Sequence, residues 1–429
     1  MHSAIDNLNR KVLFPVMELL FVGYITCIRN IIGYNTYVKL MTAVMLLSFV
    51  LYFLGGFSAY WLKTKSIRTV MLIIAAAYLA CRLISFVQNG CDRSIRLSIV
   101  LEMYYVIVVI GTPIGGFRRR SHAYFLFVAS SLCQAANLVV YFNYEKFPQV
   151  VKSWFLNNTP IKDHPYSALS TNPNAAGILC ALTAVVALIY FLEEKNIRAR
   201  VIALITGIFQ IVCLAILYNG VRSAIFSMAV SVVLLIVGIV FKKKRGRNVV
   251  LGVFTFAMVF LVGLGCFFSQ KTYNQMEPLN ENEIRLNAIS SDRYIIWKTC
   301  YITFDKSTVF GRGSLKLEKR YRKQYAAEHE NEVTTVHITA ARFSPHNGYI
   351  ELLTVSGWLG FALIMSFVCL AIADAEHLNK GYWYIIVCFI LINNLFEGLF
   401  ILDRFFPCLY LFRELSVTFF DDSAAESMT

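Results

Sequence analysis

Charged residues make up only 15% of this 429-residue chain, against 57% hydrophobic ones, and so little charge excludes an ordinary soluble fold. The chain also lacks a soluble segment of domain size, an internal repeat and a low-complexity tract, so neither a solenoid nor an array of linked domains accounts for it. Its eleven cysteines include no Cys-x-x-Cys pair. Most of them (Cys27, Cys81, Cys133, Cys180, Cys213, Cys266) lie inside apolar runs, where a thiol packs as a small apolar group, and neither a zinc site nor a disulfide framework is indicated. His329, His337 and His346 stand eight and nine residues apart, which matches no familiar ligand spacing. No Asp-rich cation site accompanies them, so no metal or other cofactor is expected.

What the sequence does contain is long apolar runs, and a membrane-spanning helix needs about 20 mostly apolar residues. Such runs occupy roughly 13–31, 39–62, 69–87, 97–116, 121–142, 173–192, 199–218, 221–241, 249–269, 347–371, 381–401 and 403–420. They predict an all-α polytopic membrane protein with about 12 transmembrane helices, residues 1–429 forming a single membrane domain. Arg10 and Lys11 precede the first run, but Glu18 within it and the absence of a small-residue exit favour a retained helix over a cleaved signal. Lys63, Lys65 and Arg68, then Arg118 to Arg120, then Lys195, Arg198 and Arg200, then the run Lys242 to Arg247 all fall on one side, which the positive-inside rule makes cytoplasmic. Both termini are then cytoplasmic, and segments 143–172 and 270–345 face outward. The net charge of +14 reflects this topology and attraction to anionic lipid; no nucleic acid partner is indicated.

The segment 270–345, between predicted helices 9 and 10, is long for a loop and mixed in charge, with 12 Lys and Arg against 9 Asp and Glu. Loops of that length are commonly functional. Within it Ser290 or Ser291 can cap a helix whose one face carries Arg293, Trp297, Cys300, Tyr301 and Phe304. Arg293 is thus aimed either at the interior, where a cation needs an anion, or past the stripe to water, Asp292 or a lipid phosphate. In "NGVRSA", Arg222 opens a helix on the outward side, either gripping a phosphate beside the free N–H groups or anchoring at the interface. "TNPNAAG" offers Asn172 as cap and Pro173 in the first turn, with Asn174 following. In "SPHNGYIELLTVSGWLG" Ser344 is expected to cap, Pro345 to take the first helical position and His346 to sit in the first turn, where the dipole favours a neutral imidazole able to act as general base. His346, Ile350, Leu353, Gly357 and Gly360 then share a face, the glycines permitting close helix contact. A structural hydrogen-bonding role for His346 is the alternative.

Taken in order, "TNPNAAG", "NGVRSA", "SSDRYIIWKTCYITFDKSTVFGRG" and "HNGYIELLTVSGWLG" resemble the O-antigen ligase and O-antigen polymerase superfamily of bacterial membrane glycosyltransferases, over roughly residues 165–400. The most specific parts are Arg293-x-x-x-Trp297 with the following Gly311-x-Gly313, and the His346-Asn347 helix start. Thr308 and Val309 stand where the family often has a proline before the Gly-x-Gly, which alters that turn.

The resemblance implies a glycosyltransferase C-like fold in the bacterial cytoplasmic (inner) membrane, with the active site facing outward. It implies transfer of a glycan from undecaprenyl-diphosphate-linked oligosaccharide to a hydroxyl acceptor outside the cytoplasmic membrane, with the lipid bilayer as a further partner. Arg222 and Arg293 would stabilise the departing diphosphate in place of a metal, His346 would be the base, and Asn347, Asn172, Asn174 and Trp297 would bind substrate. Polymerisation of repeat units into O-antigen, capsular or exopolysaccharide is favoured over ligation to a lipid, wall or protein acceptor, because no added acceptor-recognition domain is visible. A chain-length regulator and a flippase are the partners of such a polymerase. A flippase or transporter for the same lipid-linked sugars is the rival from another class, with Arg82, Glu102 and Glu397 in or beside apolar runs as its best evidence.

Overall fold

Seven of the apolar runs appear as helices in the computed structural model, which describes residues 66–96, 119–146, 173–240, 280–290, 293–304, 309–328, 340–341, 343–378 and 383–397 besides a few isolated positions. The runs at 13–31, 39–62, 97–116, 249–269 and 403–420, and with them Glu102, lie outside the described residues. The helices are α1 (Ser66–Gln88), α2 (Arg119–Asn143), α3 (Pro173–Glu193), α4 (Ile197–Leu217), α5 (Arg222–Val240), α6 (Glu281–Ile289), α7 (Arg293–Thr303), α8 (Leu315–Glu328), α9 (Gly348–Leu378) and α10 (Trp383–Asn394). No strand occurs among the described residues. Six helices, α1 to α5 and α9, are long and apolar enough to cross a membrane. The helix expected over 381–401 stops earlier, because its chain turns at Leu395–Glu397.

Side-chain size decides how these helices pack. Along α4, Ala199, Ala203, Thr206, Gly207, Gln210, Cys213, Leu214 and Leu217 are buried, while Val201, Ile202, Ile205, Ile208 and Val212 are exposed. Small and polar groups thus face protein and branched apolar groups face outward, the inverse of a water-soluble helix and the pattern of a lipid-facing one. Helix α3 takes the centre. It is buried over most of its length and packs against α2, α4, α5 and α10. Polar side chains tie α2 to α4: Tyr218 donates to Gln134 Oε1 at 2.8 Å and accepts from Asn137 Nδ2 at 2.9 Å, and Ser130 donates to Gln210 Oε1 at 3.3 Å.

Helix α9 departs from the expected continuous span. At Gly357 the backbone turns to φ 70°, ψ −178°, so α9 is two helical segments meeting at a break. Gly357 therefore does not continue the shared face on which His346, Ile350, Leu353 and Gly360 were expected to line up. A break strands carbonyls that an intact helix would pair, and the Gly311-Arg312-Gly313 segment supplies the donors. Arg312 N–H donates to Thr354 O at 2.9 Å and Gly313 N–H to Val355 O at 2.9 Å, while beyond the break the Leu359 N–H donates in return to Val309 O at 3.2 Å. From α1, Arg82 donates to Val355 O at 3.2 Å and Gly313 O at 2.9 Å, and Ser85 to Gly311 O at 3.3 Å. Arg82 is thereby a buried structural clamp. Gly311 (φ 69°) has no room for a Cβ, which would stand 2.4 Å from Gly357 N and 2.5 Å from Val355 O. Gly311→Ala adds left-handed strain of about 1–3 kcal/mol to a collision with backbone. Gly90→Ala, at φ +67° with nothing within 4 Å, carries the strain alone. Thermal unfolding in detergent is expected to show a clearly larger loss at Gly311 than at Gly90; equal shifts would mean the docking is loose.

Candidate functional site

The site is assembled by short-range sequence choices at helix ends. Asn280 and Glu283 form a capping box that starts α6, and Ser290 Oγ accepts the Tyr294 N–H at 3.0 Å, the expected cap of α7. Glu283 joins the two helices, accepting from Lys298 Nζ at 2.9 Å and Tyr294 OH at 3.0 Å. Burial works against its charge, yet Lys298, the Asn280 N–H and Tyr294 together hold its carboxyl below the usual range. This frame packs Ile295, Ile296 and Cys300 against Ala340 and Ile350 and fixes where Arg293 points.

Arg293 points at an anion, and that anion is Glu397. Its Nη2 donates to Glu397 Oε1 at 2.8 Å, and its Nη1 donates to the Phe396 carbonyl. Glu397 Oε1 also accepts from Asn174 Nδ2 at 2.7 Å, while Glu397 Oε2 faces His346 Nδ1 at 3.6 Å. Four residues from four separate stretches of chain meet here: Asn174 at the start of α3, Arg293 at the start of α7, His346 before α9 and Glu397 after α10. The carboxylate is buried at 4% side-chain exposure, whereas the imidazole is open at 35% and the guanidinium at 19%. A buried anion thus holds a partly open cation and an open imidazole side by side.

The segment before α9 is set differently from the expectation. Asn347, not Ser344, is the cap: its Oδ1 accepts from Tyr349 and Ile350 N–H at 3.0 and 3.1 Å. His346 consequently precedes the helix, in a left-handed conformation with φ 50°, and the first-turn dipole argument does not apply to it. Local fit overrides the Ser-Pro signal because Ser344 is engaged elsewhere, donating to the buried Glu351 at 2.7 Å. Trp297 Nε1 donates to Pro345 O at 2.7 Å, and Arg322 of α8 donates to Phe343 O at 2.9 Å while pairing with Glu318 at 2.5 Å. Side chains from α7, α8 and α9 therefore pin the three residues that lead into the strained histidine. Behind it, Tyr349 OH reaches Leu391 O at 3.0 Å, joining α9 to α10.

The other sequence-derived candidates fall around this cluster. Arg222 is exposed at the first position of α5; one turn on, Phe226 meets Phe396 edge to face, with ring centres 6.3 Å apart, so the start of α5 stands beside the turn that bears Glu397. The Trp297 indole N–H and the Asn347 side-chain oxygen are engaged within the protein, by Pro345 O and by the Tyr349 and Ile350 N–H groups. Asn172 lies outside the described residues. Sequence reasoning missed Glu397 as a site residue, along with Arg322 and Glu351. The signal for Glu397 was its isolation, since a lone carboxylate in an apolar run needs a partner. Among the described residues no group of three or more His, Cys, Asp or Glu is placed to hold a metal ion.

Comparison with known proteins yields one family likeness. No curated protein matches the chain. The family model described as O-antigen ligase matches residues 206–365, less than half of the chain. That stretch contains Arg222, Arg293, Trp297, His346 and Asn347, whereas Asn174 and Glu397 come to the cluster from outside it. Over residues 206–365 the chain is therefore similar to the O-antigen ligase family of membrane proteins.

Proposed function

We propose that the chain is an outward-facing polymerase that joins undecaprenyl-diphosphate-linked repeat units. The observation that carries this reading is the convergence of Arg293, His346 and Asn174 on one buried carboxylate at the helix ends. Residues 1–429 form a single membrane domain of about 12 spans, with both termini cytoplasmic and 270–345 on the outer side. By that topology the starts of α3, α5 and α9 and the end of α10 share the outer face, where the lipid-linked donor and the acceptor meet.

The chemistry follows from the donor. The acceptor hydroxyl oxygen attacks the anomeric carbon, the bond from that carbon to the diphosphate oxygen breaks, and the hydroxyl proton must be removed. His346 faces Glu397 through Nδ1, so the carboxylate favours the tautomer with hydrogen on Nδ1 and leaves the Nε2 lone pair for that proton. Charge grows on the departing diphosphate. Arg293 has five N–H donors, of which Phe396 and Glu397 account for two, and its preorganised remainder together with Arg222 stabilises that charge without a divalent cation. Asn174, oriented by the same carboxylate, contributes its amide to sugar or phosphate.

Two readings of the same site remain distinct in outcome. The ligase reading is favoured by the matched family's own description. The transporter reading loses support, because Arg82 is a helix clamp and Glu397 a cluster hub at one end of the bundle. Reconstitution with a lipid-diphosphate-linked repeat unit in the presence of EDTA tests the proposal: a ladder of lengthening glycans is expected. Transfer only on addition of a separate acceptor would establish a ligase, movement of donor between leaflets without transfer a flippase, and loss of activity restored by magnesium would refute the arginine account.

A further inference from the structure

Helix α8 has two faces that do different things. The inner one bears Glu318 and Arg322, both buried, and pins Phe343 beside the histidine segment. The outer one is basic: Lys316, Lys319, Arg320 and Lys323 recur at helical spacing and are all exposed. A second stretch of chain extends it. The turn at residues 93–96 docks on the start of α8 through a 2.8 Å contact between Ser94 and Ser314 hydroxyls, with Ile95 lodged against Gly313, and it carries Arg93 and Arg96, also exposed. None of these six cations has a carboxylate within ion-pair distance among the described residues. The acid nearest in sequence, Asp92, accepts hydrogen bonds of 2.5 and 2.8 Å from Ser94 and lies in the field of Lys316 and Arg320, one negative charge against six positive ones. Segments some 220 residues apart thus build a cationic surface whose like charges repel unless an anion joins them.

Two further features choose the anion. Tyr321 and Tyr325 are half-exposed one turn apart with ring centres at 6.3 Å, and the Arg312 guanidinium lies 3.6 Å over the Tyr321 ring. Rings of this kind stack on the apolar faces of sugars, and a cation held over one is placed for a nearby carboxylate. A bilayer is the less suitable partner. A helix that lies in a lipid surface needs exposed apolar side chains to insert, whereas the exposed positions of α8 are Lys316, Lys319, Arg320, Lys323, Gln324, Ala327 and Glu328.

We propose that the outer face of α8, with the 93–96 turn, is a docking surface for an acidic glycan, a chain bearing uronate or comparable anionic groups, which it guides past the pinned histidine. The proposal rests on the glycan-transfer reading of the site and adds the charge class of the glycan. The test uses the full chain in nanodiscs and short oligogalacturonates as probe, with neutral maltooligosaccharides as control. Oligogalacturonate is expected to bind wild type, to weaken at least about tenfold in 0.5 M salt because exposed charges are screened, and to weaken comparably in K316Q/K319Q/R320Q/K323Q. Equal binding by wild type and variant, or binding indifferent to salt, would overturn it. So would binding in phosphatidylcholine discs that vanishes in phosphatidylglycerol discs, which would assign the surface to lipid headgroups. Should the variant fail to fold, the salt response of the wild type decides alone. Transfer of a short neutral repeat unit, measured on the same samples, is expected to be unchanged in the variant; its absence from wild type would count against the polymerase reading and leave the binding result standing.

Discussion

Glu397→Gln is expected to lower glycan transfer by about a hundredfold or more per folded molecule, although no substrate touches the carboxylate in the proposed mechanism. One Glu397 oxygen accepts from both Arg293 at 2.8 Å and Asn174 at 2.7 Å, and the other faces His346 at 3.6 Å. A glutamine has a single acceptor oxygen and adds two hydrogens, so it can satisfy Arg293 and Asn174 only by turning its NH₂ toward His346 Nδ1. That orientation makes Nδ1 an acceptor, puts the hydrogen on Nε2 and removes the lone pair that takes the acceptor proton, as the wrong tautomer does in hydrolytic triads. Glu397→Ala goes further and leaves a guanidinium of 19% exposure without its anion. Removing one member of a buried pair costs about 3–5 kcal/mol, less here for the partial exposure, and this variant should lose stability as well as rate. Measuring kcat and thermal unfolding on the same glutamine sample separates the roles. A glutamine variant with reduced stability but full turnover per folded molecule would make Glu397 a staple only.

His346→Ala should nearly abolish transfer while membrane insertion and donor binding persist, since general-base catalysis contributes about 10² to 10⁴ in rate. The imidazole is the most open member of the cluster, at 35% exposure, and its removal strands little: Phe343, Ser344 and Pro345 remain pinned by Arg322, Glu351 and Trp297. His346→Gln, which can still hydrogen-bond but cannot take a proton, should be as inactive as alanine. Recovery of most activity in the glutamine variant would assign the histidine a structural role. Loss of donor binding in parallel with turnover would place it with Arg293 on the diphosphate instead.

Local order was readable in the sequence where a feature depends on neighbouring residues, and it was not where it depends on distant ones. The Ser290 cap, the start of α7 at Arg293 and the starts of α3 at Pro173 and α5 at Arg222 all follow from side chains within a few positions. Arg293 was legible as a cation that needs an anion, but its partner lies 104 residues on, and no periodicity links the two. The cap of α9 shows a local signal overridden: Ser344-Pro345 reads as the helix start, but Glu351 engages Ser344 and Asn347 caps instead. The break at Gly357 was hidden for a related reason. In an unbroken apolar run a glycine reads as a site of close helix contact, and only the docking of 309–313 turns it into an interruption.

That docking has a bearing on how the chain can change its length. Loops ordinarily absorb insertions and deletions, since their register against the rest of the fold is free. Residues 309–313 are tied in register through Val309, Arg312 and Gly313 to Leu359, Thr354 and Val355 on either side of the break. Adding or deleting one residue there would misalign every tie at once, with two positive-φ glycines moved off the positions that demand them. The stretch is a loop by its backbone shape, yet in its tolerance of length variation it should behave as a strand at the centre of a sheet does.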